Sequence, residues 1–282
     1  MKSTSTMNRL SLPLKIWTYS LLWLTAFIML APLFWSVMTA LKPNAEIFKA
    51  PYIINPATLS FKSFADVFQQ APFLLYFLNT LKITLSCTIG VALTSALAGY
   101  AFARLQFPGR DFLFMVYLAT MMIPRQVTLV PMFMLMKQFG LIDNHLSLIL
   151  PGLFSAFGTF LLRQFFLTVP ADYDEAAKID GCGVFRRFTL IMLPFAKATI
   201  ATLILLTFMA VWNDFLYPMV FLNSEVERTL TMGLAIFRGD ADVQWNILMA
   251  AVIISNIPIL AAFLSTQRFV ISGVSLSGGI KG

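Results

Sequence analysis

Glu175-Ala176-Ala177-Lys178-Ile179-Asp180-Gly181, followed ten residues on by Ile191-Met192-Leu193-Pro194, forms a short polar island between long apolar runs. Ala171 to Ile179 favours a helix, Gly181 and Gly183 supply a turn that residues with a Cβ resist, and Val184 to Leu193 returns to helical spacing. On that second helix Phe185, Phe188 and Met192 are expected to share one face, with Arg186 and Arg187 pointing elsewhere, and Pro194 limits its continuation. Pro170 stands just upstream, and Asp172 and Glu175 lie at capping-box spacing, where carboxylates sit well against the positive end of a helix dipole. Such a segment reads as a docking surface.

What flanks the island is bilayer material. The chain has 282 residues, of which 59% are hydrophobic and only 12% charged, with a mean hydropathy of +0.80; this is far more apolar surface than one soluble core needs. A helix needs about 20 residues to cross the hydrocarbon. Six apolar runs of roughly that length occur, at 16–41, 74–103, 112–136, 146–167, 198–222 and 247–271. They do not alternate as barrel strands would. The expected fold is therefore all-α and integral to the membrane, with six transmembrane helices in one domain (16–271), a polar loop at 168–197, and tails at 1–15 and 272–282. The first run follows Lys2, Arg9 and Lys15 but is too long for the apolar core of a secretion signal, so a retained anchor is expected.

Charge sets the expected orientation. With both termini in the cytoplasm, Lys2, Arg9, Lys15, Arg104, Arg110, Arg163, Lys178, Arg186, Arg187, Lys197, Arg268 and Lys281 lie inside, leaving Lys42, Lys49, Lys62, Arg228 and Arg238 outside. The net charge of +7 is then a topology signal and an affinity for anionic lipid headgroups; no concentrated basic arm suggests nucleic acid. Cys87 and Cys182 fall in a span and a loop, so no disulfide is expected. His145, the only histidine, has no Cys or carboxylate at ligand spacing and reads as a span-entry residue rather than a metal ligand. No nucleophile, metal or cofactor constellation argues for catalysis, and the absence of a G-x-x-x-x-G-K-[ST] segment excludes a P-loop of its own.

Two spans carry polar groups. Met122 to Pro131 holds Pro124 and Pro131, which should kink or unwind the third span, and Arg125 beside that break is costly unless paired or hydrated. Three roles are open to Arg125: contacting a substrate, pairing with Asp214, or snorkelling outward. Gln126 is its neighbour. Trp212-Asn213-Asp214-Phe215-Leu216-Tyr217-Pro218 ends the fifth span with an amide, a carboxylate and aromatics, which suits sugar hydroxyls and ring faces but equally an aromatic belt with a buried cap. Asn79, Arg125, Gln126, Asn213, Asp214 and Tyr217 are the pathway candidates, with Thr80 a weaker one. Phe61, Phe64 and Phe68 suggest an interfacial helix in the first outer loop, and the charged stretch Asn223 to Asn246 is polar enough to reach water or an external protein.

The E-A-A…G…I-x-L-P pattern of residues 175–194 resembles the cytoplasmic signature of binding-protein-dependent ABC importer permeases. Met122 to Pro131, Phe160 to Phe166, Trp212 to Pro218 and Gly278 to Gly282 narrow the resemblance to carbohydrate importers of the maltose type, over nearly the whole chain. The resemblance implies a coupling helix between spans four and five that inserts into a cleft of an ATPase subunit. Glu175, Ala176, Ala177, Asp180 and Gly181 inherit that coupling role, with Glu175 meeting a basic residue. Cys182 departs from the Ala usual there, but a small residue is kept. Also implied are a second, homologous permease, two ATP-binding subunits docked on 168–197, an extracytoplasmic solute-binding protein touching 223–246, a sugar-like substrate, and residence in the bacterial cytoplasmic (inner) membrane. Arg125, less typical at its place, raises the prospect of an acidic substrate. The rivals are a self-contained secondary transporter, against which the sparse charges and unmatched halves count, and a membrane scaffold that recruits a cytoplasmic partner.

Overall fold

The computed structural model describes residues 11–49, 51–238 and 243–277, with side chains through 269. Lys2, Arg9, Asp240, Asp242, Lys281 and the Gly278–Gly282 tail lie outside the described residues. The described residues contain helices and no strand. Four helices are long and apolar enough to cross a bilayer: Leu12–Leu41, Phe73–Arg104, Leu146–Thr168 and Trp245–Phe269. A fifth span arises if Val184–Phe195 and Lys197–Trp212, bent by 77°, are taken together.

The run at 112–136 is not one helix. Arg110–Ala119 passes through a tight turn at Thr120–Met122 and stops at extended Ile123; helix resumes only at Leu129–Gln138. Pro124 has no N–H to continue the first helix, whereas Pro131 falls in the first turn of the second, where no intrahelical donor is needed. The two prolines expected to break this run therefore act differently, the first as the break and the second as part of the restart.

The chain divides into two compact units. One comprises residues 1–71 and 236–254. In it Leu12–Leu41 leaves most of its apolar side chains exposed, as a lipid-facing helix would, and Lys62–Gln70 buries Ser63 and Val67 while Phe61 and Phe68 stay exposed. Asn44 Oδ1 accepts the backbone N–H of Trp245 at 3.0 Å, and Asn246 Nδ2 donates to Ser63 Oγ at 3.0 Å.

The other unit comprises 72–235 and 255–282. Its axis is Phe73–Arg104, which packs most extensively against Ala156–Thr168 and next against Lys197–Trp212. Small residues allow the approach. A Cβ on Gly99 would stand 3.0 Å from both Arg163 N and Leu162 Cβ, and one on Gly158 would stand 2.5 Å from Ser95 Oγ. Between helices with no hydrophobic drive to associate in lipid, such close backbone contact supplies dispersion and fixes register. Around it lies a core of Val91, Tyr100, Leu162, Phe166, Phe188, Met192 and Leu203. Trp212 is also buried, stacked on Phe208 at 5.5 Å with its indole N–H donating to Ser255 O at 3.0 Å. It is a core residue rather than part of an aromatic belt.

Candidate functional site

The polar island folds as a helix–turn–helix. Asp172–Ile179 is helical, with Asp172, Asp174 and Glu175 in its first turn and Lys178 in its last, which matches the backbone dipole at both ends. The expected capping box does not form: Ala171 is the cap, so Asp172 already lies inside the helix and cannot reach the free N–H groups. The far end closes as a Schellman motif. Gly181 adopts φ +74°, its N–H bonds Lys178 O at 3.0 Å, and the N–H of Cys182 bonds Ala177 O at 2.9 Å. A Cβ at Gly181 would meet nothing within 4 Å, so glycine is required there by conformation and not by space.

Asp174 and Ala177, three residues apart, face inward, while Glu175, Ala176, Ile179 and Asp180 are exposed. After the turn, Val184–Arg187 is followed by a widened π turn at Phe188–Met192, in which Leu193 N–H bonds Phe188 O five residues back. The rings of Phe185 and Phe188 are neighbours, 6.3 Å apart, but the core covers only Phe188 and Met192 and leaves Phe185 exposed. Arg187 does not point away. It is buried, and its Nη1 donates to Asp174 Oδ1 at 3.2 Å, tying the two helices across the glycine turn. Neither partner stood out in the sequence; the available signal was opposite charges placed symmetrically about Gly181. Tyr100 completes the connection, its ring 5.2 Å from Phe188 and 6.0 Å from Phe166, so the island rests on the core of the unit. A groove of about 540 Å³ runs along its outer side, lined by Pro170, Asp172, Tyr173, Ala176, Ala177, Asp180 and Ile191.

A second site forms where both broken helices lie beside Phe73–Arg104. It is a cavity of about 180 Å³ lined by Thr80, Thr84, Cys87, Arg125, Thr128, Met132, Asp214, Tyr217 and Thr229, among others. Unwinding at Pro124 places Arg125 on a turn, closed by Val127 N–H to Pro124 O at 3.0 Å and Thr128 N–H to Arg125 O at 3.2 Å. Tyr217 braces that turn from the other break: its hydroxyl donates to Arg125 O at 2.7 Å and its ring lies 4.6 Å beneath the guanidinium. Asp214 Oδ1 accepts the Tyr217 N–H at 3.4 Å, at the start of the helix Leu216–Phe221, and its Oδ2 stands 3.9 Å from Arg125 Nη2.

Thus Arg125, Asp214 and Tyr217 come together, with Asp214 near Arg125 but not hydrogen-bonded to it. The other three pathway candidates do not line this cavity. Asn213 Nδ2 donates back to Met209 O at 2.8 Å, and Gln126 is exposed. Asn79 donates to Val226 O at 2.8 Å and Arg228 O at 3.0 Å, so it holds the 223–230 segment. Of the cavity threonines, Thr80 and Thr84 lie one turn apart on the axial helix, whereas Thr128 stands in the turn after Pro124 and Thr229 in the 223–230 segment.

The 223–230 segment is held at several further points. Asp143, a non-glycine residue at φ +60°, accepts at Oδ1 from the N–H groups of Ser224 and Asn223, each at 2.8 Å. Those two backbone donors, Ser224's first, hold its carboxyl below the usual carboxylate range. His145 is buried, with Nε2 3.0 Å from Glu227 Oε2 and Nδ1 3.4 Å from Lys82 Nζ. An ammonium can only donate, so Nδ1 accepts and Nε2 carries the proton toward Glu227.

Residues 90–275 match the family described as binding-protein-dependent transport system inner membrane component. The arabinooligosaccharides transport system permease protein of Halalkalibacterium halodurans is 33% identical over 260 residues, covering 91% of this chain and 93% of that protein. The diacetylchitobiose uptake system permease protein of Streptomyces coelicolor is 33% identical over 262 residues, covering 92% of this chain and 86% of that protein. Among solved structures, a chain of a bacterial ABC transporter involved in the import of the acidic polysaccharide alginate superposes with a TM-score of 0.80 at 22% identity, covering 90% of this chain and 95% of that one. The family match and these relatives show that the chain belongs to the binding-protein-dependent transport system inner membrane components and is a permease subunit of an ABC importer.

Proposed function

We propose that this permease carries a sugar or sugar derivative through a path that includes the cavity around Arg125, Asp214 and Tyr217, and that ATP hydrolysis in separate subunits drives it through the 168–197 loop. The observation that carries the reading is the loop. A helix closed by a Schellman turn presents Glu175, Ala176 and Ile179 outward, while its inner face is joined through Arg187, Phe188 and Tyr100 to the axial helix. A pull on the exposed face would therefore reach the packed core rather than dissipate in a flexible connector. Threonine hydroxyls, a carboxylate, a guanidinium and a tyrosine around the cavity supply the donors and acceptors that a polyhydroxylated solute needs.

In this reading the chain crosses the membrane six times, the interrupted segments 112–136 and 198–222 counting as spans three and five, with both termini in the cytoplasm. A second permease completes the path, and two ATP-binding subunits dock on the loops of the pair. A solute-binding protein meets the stapled 223–230 segment. The relatives named for arabinooligosaccharides and diacetylchitobiose support a carbohydrate.

The test is purification of the tagged chain from solubilised membranes, with Glu175→Lys alongside. Recovery of a second permease and an ATPase, with only the ATPase lost in the Glu175→Lys complex, is the expected result. Retention of the ATPase at wild-type level by that variant would remove the assigned role of the loop.

A further inference from the structure

The charged lining of the cavity points to a narrower substrate class. We propose that Arg125 makes the cavity select solutes that bear an acidic group (carboxylate, phosphate or sulfonate) beside their hydroxyls; this rests on the reading of the cavity as part of the solute path.

A guanidinium has five N–H donors in a planar fork that matches two oxygens of an acid. In this structure the Arg125 fork has no hydrogen-bonded acceptor among the described residues. Its side chain is 72% exposed, and Asp214 approaches one nitrogen no closer than 3.9 Å. An arginine at a break in an apolar segment is costly without compensation, so a fork held on a tyrosine ring with its edge unclaimed is a poor structural device and a serviceable receptor. The backbone is fixed for this purpose, because the hydroxyl of Tyr217 and the side chain of Thr128 both donate to Arg125 O, at 2.7 and 2.9 Å.

Asp214 explains how the empty cavity tolerates the charge. Its carboxylate lies near enough to balance Arg125 yet has a second attachment, the Tyr217 N–H, to which it can remain bound when a solute acid takes the fork. A wholly neutral solute would leave the ion pair in place and gain little from Arg125. Hydroxyls of the solute still find partners, since Thr84 is fully buried, lines the cavity and has a side-chain oxygen with no partner among the described residues.

The experiment measures the sign of the cavity potential and then occupancy, in the assembled importer without its binding protein, so that the latter's own selectivity does not enter. With Cys87 and Cys182 replaced by Ala, Met132→Cys places a thiol in the cavity wall. Its modification rates by anionic sulfonatoethyl and cationic trimethylammonioethyl methanethiosulfonate are compared. The anionic-to-cationic rate ratio is expected to fall roughly tenfold in Arg125→Gln, as loss of a unit charge a few Å away in a partly hydrated site implies, and to rise in Asp214→Asn. Digalacturonate is expected to slow modification where neutral galactobiose does not, with protection lost in Arg125→Gln and weakened in Arg125→Lys, which keeps the charge but not the fork.

A ratio indifferent to Arg125→Gln, or equal protection by the neutral disaccharide, would overturn the acid-selecting role and leave the cavity as a path. A thiol that neither reagent reaches would instead remove the cavity from the path altogether. Recovery of the intact complex for each variant, checked by gel filtration, separates these results from failed assembly.

Discussion

Arg187 and Asp174 form a buried ion pair, 3.2 Å from Nη1 to Oδ1, that bridges the two arms of the polar island across the turn at Gly181. A charge removed from a buried pair leaves its partner unsolvated, at a cost of about 3–5 kcal/mol. Asp174→Asn and Arg187→Met should therefore each loosen the loop. The expected outcome is that the complex inserts but its ATP hydrolysis no longer responds to solute. Since replacing both members can be near neutral, Asp174→Leu/Arg187→Met should regain much of the lost thermal stability. Equal destabilisation by the single and double replacements, read from melting of the purified complex, would count against the pair as the tie.

At Gly181 the constraint is backbone conformation alone, because a side chain there would have open space. Holding an L-residue at φ +74° costs about 1–2 kcal/mol, so Gly181→Ala should fray the end of the helix Asp172–Ile179, whereas Gly181→Asn, which tolerates the left-handed region, should be milder. Limited proteolysis of the loop in the intact complex reads the difference. Identical cleavage rates for wild type and Gly181→Ala would show that the Schellman closure is not needed.

What was legible in the residues, and what was not, follows from where each interaction acts. Pro124 breaks a helix by lacking a donor, and Gly181 ends one by its conformation; both effects are local, and both were readable. The different burial of Phe185, Phe188 and Met192 was not, because how much of a helical face the core covers is set by tertiary packing, here against Tyr100. Arg125 and Asp214 could be proposed as partners because ion pairing is the cheapest answer to a charge in an apolar segment. Asp174 with Arg187, and Asp143 with Ser224, are tertiary pairings that no local pattern marked. The bonds from Asn79 to Val226 O and Arg228 O were equally hidden, since their partners lie far along the chain.

Asp143 makes the 223–230 segment sensitive to strong acid. Its folded pKa is depressed, chiefly by the Ser224 and Asn223 N–H groups, so its contribution is present above the ordinary carboxylate range, near 4, and is lost as pH falls through the lower folded value. Hydrogen exchange of the Asn223 and Ser224 amides, compared with an unstructured peptide at each pH, should show protection that persists at pH 5 and collapses only below about 4. In Asp143→Asn the amide oxygen still accepts but without charge, and protection should be weaker and independent of pH. Protection in the native chain that is already lost between pH 7 and 5 would assign the anchoring to another group.

Phe188 and Phe185 lie three residues apart, yet one is buried against Tyr100 and the other is 71% exposed. Phe188→Ala should open a cavity in the core and cost about 3–5 kcal/mol, visible as a lower melting temperature of the purified complex. Phe185→Ala should leave that temperature almost unchanged and instead weaken capture of the ATPase, because an exposed aromatic on a docking face contributes to binding through the area it covers on the partner. The two readouts are independent, so the contrast tests the different burial of the two rings as well as the docking face. If Phe185→Ala lowered stability as much as Phe188→Ala, the core would extend over both rings; if neither changed ATPase recovery, docking would rest on the Glu175 side of the loop alone.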